Sequence, residues 1–246
     1  QNAPILEDGK IPSESITLLN KVINNCDIVI QEYPSSKYVN QAYFLKGVSY
    51  FYKKSYDLSI KNLDFLVNQN TEFSEKARLW ITYSHLRLKD FEKSADYLEM
   101  IDVESLDKDD LYTFYNIKAE LSEGLSDIKS AYEYYILASE NTINDSRKIY
   151  IYRKLIYLSE LSGDLSAKIK FISLLEPYIE NMTELRKLKI DWIEGSKELG
   201  DYESIIKEVD NIIDQPDFQL IKPKLLLYKS KAYQKLNLMK PAKDIL

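Results

Sequence analysis

The stretch Leu121-Ser122-Glu123-Gly124-Leu125-Ser126-Asp127-Ile128-Lys129-Ser130-Ala131 decides the fold, because its centre returns along the chain. A short turn followed by an apolar or aromatic residue occurs at Lys54-Ser55-Tyr56, Lys89-Asp90-Phe91, Ser126-Asp127-Ile128, Gly163-Asp164-Leu165, Gly200-Asp201-Tyr202 and Asn237-Leu238-Met239. Successive turns lie 35 and then four times 37 residues apart. Counting back 37 from Tyr56 reaches Leu19, inside another apolar-periodic stretch. A fixed period of this size marks a repeat architecture, in which no unit can bury its apolar face alone and each stacks on its neighbours.

Apolar residues on either side of each turn recur at helical spacing. Asp90, Asp127, Asp164 and Asp201 sit where a carboxylate accepts from the unpaired N–H groups of a following helix and favours the positive end of its dipole. Ser13, Ser74, Thr183 and Asp145 read as further helix starts. Pro223 fits a first helical turn, and Pro177 ends or kinks its helix. The spacing predicts helices at 13–32, 36–53, 57–69, 74–88, 91–101, 109–123, 128–140, 146–161, 165–180, 184–199, 202–214, 222–236 and 239–246. Residues 1–12 read as a flexible segment, and 13–246 as one array interrupted within its last helix pair. Gln1 in place of methionine implies an upstream segment removed, and a helix still running at Leu246 implies a continuation.

Composition agrees with helices. Glycine and proline number only 6 and 7 in 246 residues, too few for the turns of a many-stranded sheet protein. The 20 tyrosines can each bury a ring and keep a wet hydroxyl. Net charge is −6, and the basic residues form no stripe that would track phosphates, so nucleic acid is not an expected partner. No run approaches the roughly 18 apolar residues of a membrane helix. Cys26 is the single cysteine, which excludes an internal disulfide and reads as a small buried residue of the first helix.

Around the turns the chain resembles the tetratricopeptide repeat family, whose helix pairs cross on small residues. Relative to the turn residue these lie nine before, three after and ten after. The third unit has Ala119, Ala131 and Ala138 there, the first Gly47, Ser59 and Leu66, the second Thr82, Ser94 and Ile101, and the last Ser230 and Ala242. The fourth and fifth units depart, with Ile156, Lys168 and Leu175, then Ile193, Ile205 and Ile212, so their helices are expected to cross more widely. The resemblance implies an all-α, right-handed α-solenoid of about six helix pairs plus an N-terminal helix. The 37-residue spacing exceeds the family's 34, so helices or links are slightly longer. A narrower resemblance runs through Tyr33-Pro34-Ser35-Ser36-Lys37-Tyr38, Ala42-Tyr43-Phe44-Leu45-Lys46-Gly47, Tyr56 and Ile60. It is similar to the bacterial β-barrel assembly lipoprotein D and TolA-binding coordinator families, and implies a periplasmic or envelope scaffold, with the cytoplasm as the alternative.

No chemistry of a catalytic kind emerges. His85 is the only histidine, and no zinc-type spacing of ligands accompanies it. It lies six residues before its turn residue, as do Tyr50 and Tyr233, and reads as a partly buried structural side chain. There is no nucleophile motif and no glycine-rich phosphate loop. Asp109-Asp110 reads as helix-start charge, and the turn aspartates lack calcium-loop spacing. The expectation is a protein that is not an enzyme and needs no cofactor or metal.

In the resembled family, residues twelve, eight and five before the turn residue line a concave groove. Here these are Phe44, Val48 and Phe51, then Leu79, Tyr83 and Leu86, an apolar stripe. The next units give Asn116, Glu120 and Glu123, then Arg153, Tyr157 and Glu160, then Ile190, Glu194 and Lys197. Phe44, Val48, Phe51, Leu79, Tyr83, Leu86, Arg153 and Tyr157 are therefore the candidate contacts for a protein or peptide partner. The apolar stripe has two readings: a partner site, or side chains covered by the chain's own packing. The lysine–asparagine clamp that family members use on chaperone C-termini is missing, since Phe44, Val48, Leu79 and Tyr83 occupy its places. A non-catalytic scaffold of a multiprotein complex is the leading expectation. The alternative is a regulatory or substrate-recruiting arm of a larger enzyme or transcription factor, and an open last repeat would also allow self-association.

Overall fold

A computed structural model describes residues 11–238. Among them the chain is all-helical, with twelve α-helices and no strand: α1 Ser13–Glu32, α2 Val39–Tyr52, α3 Tyr56–Asn68, α4 Ser74–Arg87, α5 Phe91–Glu99, α6 Lys108–Gly124, α7 Ile128–Glu140, α8 Asp145–Ser162, α9 Leu165–Leu175, α10 Met182–Leu199, α11 Tyr202–Ile212 and α12 Lys222–Lys235. Short 3-10 turns cover Val103–Ser105, Glu176–Tyr178 and Pro216–Ile221. The expected helix at 239–246, with Met239 and Ala242, lies outside the described residues, as does nearly all of the expected flexible segment 1–12.

The recurring turn has one construction at all six positions. Lys54, Lys89, Ser126, Gly163, Gly200 and Asn237 have φ of 60–78°, the left-handed region. The next residue donates its N–H to the carbonyl five residues back, as in Asp90 to His85 at 2.9 Å and Asp127 to Ser122 at 2.8 Å. That pairing is the Schellman closure, which satisfies carbonyls left open at a helix end. Asp90, Asp127, Asp164 and Asp201 then accept, through a carboxylate oxygen, from the N–H of Lys93, Ser130, Ala167 and Ser204. One aspartate thus closes a helix with its backbone and opens the next with its side chain. Ser55 makes no such cap for α3.

The other helix starts differ from expectation. Asp107, Asn144 and Asn181 cap α6, α8 and α10 through their side chains, not Asp145 or Thr183. Ser74 is the first residue of α4, and its hydroxyl donates instead to the Leu66 carbonyl at 3.0 Å. Ser13 is likewise inside α1, after Pro12. Pro177 stops α9 at Leu175, five residues early, and sits in a 3-10 turn, because a ring nitrogen has no N–H to continue the ladder.

The chain divides into two compact units, Gln1–Thr142 and Ile143–Leu246. In the first, each helix packs on the next, and α4 additionally touches both α2 and α6. Helix α4 is consequently buried on more than one face: Ile81 and Ala77 join Leu63 and Leu66 of α3, whereas Leu79 and Leu86 join Phe114, Ile117 and Leu121 of α6. A helix surrounded in this way needs apolar residues nearly all round and shows little amphipathic pattern. Small residues let the pairs close. Ala119, Ala131 and Ala138 are fully buried between α6 and α7, and a Cβ on Gly47 would lie 2.5 Å from Leu63 Cγ. Ser94 donates from α5 to the Thr82 carbonyl at 3.2 Å.

In the second unit α8 packs on α9, α9 on α10, α10 on α11 and α11 on α12. Its core gathers Ile190, Ile193, Ile205, Val209, Ile212, Phe218 and Leu225. With isoleucine at the crossing positions, α10 and α11 run close over a shorter stretch than α6 and α7, while α8 and α9 keep an extensive contact. Lys189, only 7% exposed, is neutralised by Glu176 at 2.6 Å and by Glu208.

Candidate functional site

The candidate residues of the first unit fall into two sets. Leu79 has no exposed surface, Leu86 is 6% exposed and Phe51 8%. These three are core side chains: α6 lies over the face of α4 that carries Leu79 and Leu86, and the rings of Trp80 and Tyr83 cover Phe51. The covered-by-packing reading of the apolar stripe therefore accounts for them. Phe44, Val48 and Tyr83 are only partly buried. Phe44 stacks on Phe73 with ring centroids 5.4 Å apart.

An aromatic cluster joins α2, α3 and α4. Phe51 lies 5.0 Å from Trp80, 4.8 Å from Tyr83 and 5.5 Å from Tyr56, and Tyr52 lies 5.5 Å from Trp80. Edge and tilted packings of this kind add to the area they bury. At one side of the cluster a polar network carries the chain across to α6. The Tyr83 hydroxyl donates to Glu120 Oε1 at 2.9 Å and accepts from Arg87 Nη2 at 2.6 Å. Arg87 also reaches Glu120 Oε2 at 2.7 Å, and its guanidinium lies 4.6 Å from the Tyr83 ring centroid. Asn116 donates to Glu120 at 2.9 Å and to the Tyr83 hydroxyl at 3.3 Å. Burial, then the Glu120 carboxylate, holds the Tyr83 hydroxyl well above the ordinary tyrosine range, so it stays a neutral donor. Glu120 is committed to Arg87, Tyr83 and Asn116. The network fixes the α4–α6 contact and orients Tyr83, and its charges neutralise one another locally.

Tyr83 and Glu120 are 37 residues apart, so they hold equivalent positions in neighbouring units. That spacing was the signal for a pairing that reading each unit separately does not reveal. Glu123, from the same expected set, accepts a hydrogen bond from the Tyr135 hydroxyl. In the second unit Arg153 and Tyr157 stand on the exposed side of α8. Arg153 pairs with Glu184 at 2.7 Å, and Tyr157 is 50% exposed.

His85 is 8% exposed, stacks on Tyr97 with centroids 5.5 Å apart, and places Nδ1 3.5 Å from Asp90 Oδ2. Burial holds it below the ordinary histidine range against the pull of Asp90. Cys26 is buried in α1, and burial raises its thiol above the usual value. Among the described residues no three His, Cys, Asp or Glu side chains gather as metal ligands would. No helix among them is long and apolar enough to cross a membrane. No protein-family model matches this chain. No curated protein matches it in sequence either.

Proposed function

We propose that the chain is a non-catalytic, tetratricopeptide-like solenoid that binds a protein partner and helps to assemble a complex, in a bacterial cell envelope. The observation that carries this reading is the joint repeated at Lys54, Lys89, Ser126, Gly163, Gly200 and Asn237. Six like joints generate like helix pairs, and pairs of this kind stack into a surface that is held in shape without a ligand. A partner segment docking on such a surface loses its own freedom while the surface loses little, which favours binding.

The partner face in this reading is narrower than the apolar stripe. In the first unit it comprises Phe44, Val48 and Tyr83, which keep accessible surface; Arg153 and Tyr157 are separate accessible candidates on α8 of the second unit. Lysine-directed crosslinkers suit this face poorly. Lys46 is tied to Asp27 at 2.6 Å and Lys76 to Asp107 and Asp110 at 2.8 and 2.9 Å. A photoreactive phenylalanine at Val48, and separately at Tyr157, in the full-length protein in its source cells tests the reading directly. Adducts with envelope proteins at Val48 are expected. Adducts only with cytosolic proteins would move the assignment to a regulatory arm, and adducts only between copies of this chain would move it to self-association.

A further inference from the structure

Within the second unit, the last turn of α10, the first turn of α11 and the last two turns of α12 line a half-open cleft of about 560 Å3. That volume lies in the range of small-ligand sites, roughly 300–1,000 Å3. Ile205 and Ala232, each 1% exposed, form its apolar floor, and Tyr202 and Tyr228 stand in its wall. The exposed side chains of Lys197, Lys231 and Lys235 line its rim. Among the described residues none of the three makes an ion pair within 4 Å or a hydrogen bond, as is also true of Lys187 and Lys207. Lys168, Lys189, Lys222, Lys224 and Lys229 of the same unit are paired, and Lys197 does stand in the field of Glu194. The carboxylate of Glu194 is already held by the Tyr228 hydroxyl and lies 3.5 Å from Lys224.

Attraction to the helix dipole explains a lysine in a last turn, and so accounts for Lys197 and Lys235. It does not account for Lys231, one turn earlier and four residues from Lys235, where like charges repel. In a chain of net charge −6, three exposed lysines along one cleft, of which only Lys197 stands in the field of a carboxylate, Glu194, give it a locally positive rim that suits an anion. Lysines act on phosphate and carboxylate as point charges, and tyrosine rings offer a flat body a surface to lie on.

We propose that this cleft binds a small organic anion with two or more negative charges on a flat apolar body, either a phosphate ester or a polycarboxylate. Calorimetric titration of the whole chain with pyrophosphate, adenosine diphosphate and benzene-1,3,5-tricarboxylate tests it. At least one ring-bearing probe should saturate the protein about tenfold more tightly than pyrophosphate, and which one does so separates the two sources. Binding should weaken at higher salt, and Lys231→Gln and Lys197→Gln should each weaken it about tenfold with unchanged melting temperature. Lys207→Gln, on the exposed side of α11, should leave it unaltered. Absence of saturable binding by every probe, or equal binding by the Lys231→Gln protein, overturns the proposal. So does binding of penta-glutamate alone, which would make the site a peptide contact.

Discussion

Replacing Gly163 by alanine isolates the backbone contribution of the recurring joint. Gly163 has φ +71°, and a Cβ added there meets nothing within 4 Å, so the substitution neither clashes nor gains packing. Two opposing effects remain. Holding a residue with a Cβ in the left-handed region costs about 1–2 kcal/mol. Removing glycine from the unfolded chain returns about 0.4–1 kcal/mol, because the alternative residue has less freedom to lose. The difference leaves Gly163→Ala destabilised by about 1 kcal/mol. Gly200, with φ +78° and equally open surroundings, should behave alike. The converse holds where the joint uses a side-chain-bearing residue: Lys89→Gly and Ser126→Gly, at φ 62° and 63°, should gain rather than lose stability. Urea denaturation followed by circular dichroism reads all four, as shifts of midpoint at constant slope. If Gly163→Ala and Gly200→Ala were as stable as the parent while Lys89→Gly lost stability, the left-handed joint would not be what limits these turns.

Gly47→Ala should lose about 1–3 kcal/mol in the same assay, since its Cβ would meet Leu63 Cγ at 2.5 Å and α2 and α3 would have to part. Tyr83→Phe keeps the ring but removes the hydroxyl between Glu120 and Arg87, and should cost about 1–3 kcal/mol through buried polar groups left short of partners. An unchanged denaturation midpoint would show that the network merely decorates the α4–α6 contact. His85 sets a pH dependence that begins as pH falls through its ordinary 6.5 and ends at its lower folded value. Its folded value lies below the ordinary 6.5, so as pH falls the unfolded chain takes the proton first. Stability should therefore decline as pH drops through 6.5, and the decline should be complete below the folded value. His85→Gln should flatten the midpoint-against-pH curve over that window; an unaltered slope would place its origin elsewhere.

The joints were legible because their causes are local. Each Schellman closure and each aspartate cap involves residues no more than five apart, so a turn such as Ser122 to Ser130 carries its whole construction in its own sequence. The caps at Asp107, Asn144 and Asn181 are equally local and stand 37 residues apart, but Asp109-Asp110, Asp145 and Thr183, one to three residues further on, offer equally plausible helix-start chemistry. The candidate site was harder to read. Twelve and five residues before a turn, Leu79 and Leu86 look the same in sequence whether they face a partner or the core.

By itself, then, the sequence determined the all-helical class, the six joints and most helix limits, because propensity, capping and periodicity act within a turn or two. Tertiary structure alone decided which faces remain open. The approach of α6 to α4 buries Leu79 and Leu86, turns Glu120 and Asn116 inward to meet Tyr83, and leaves Phe44 and Val48 partly accessible. That approach depends on contacts between residues more than thirty apart, and no local pattern specifies whether an apolar stripe will be covered by the next helix.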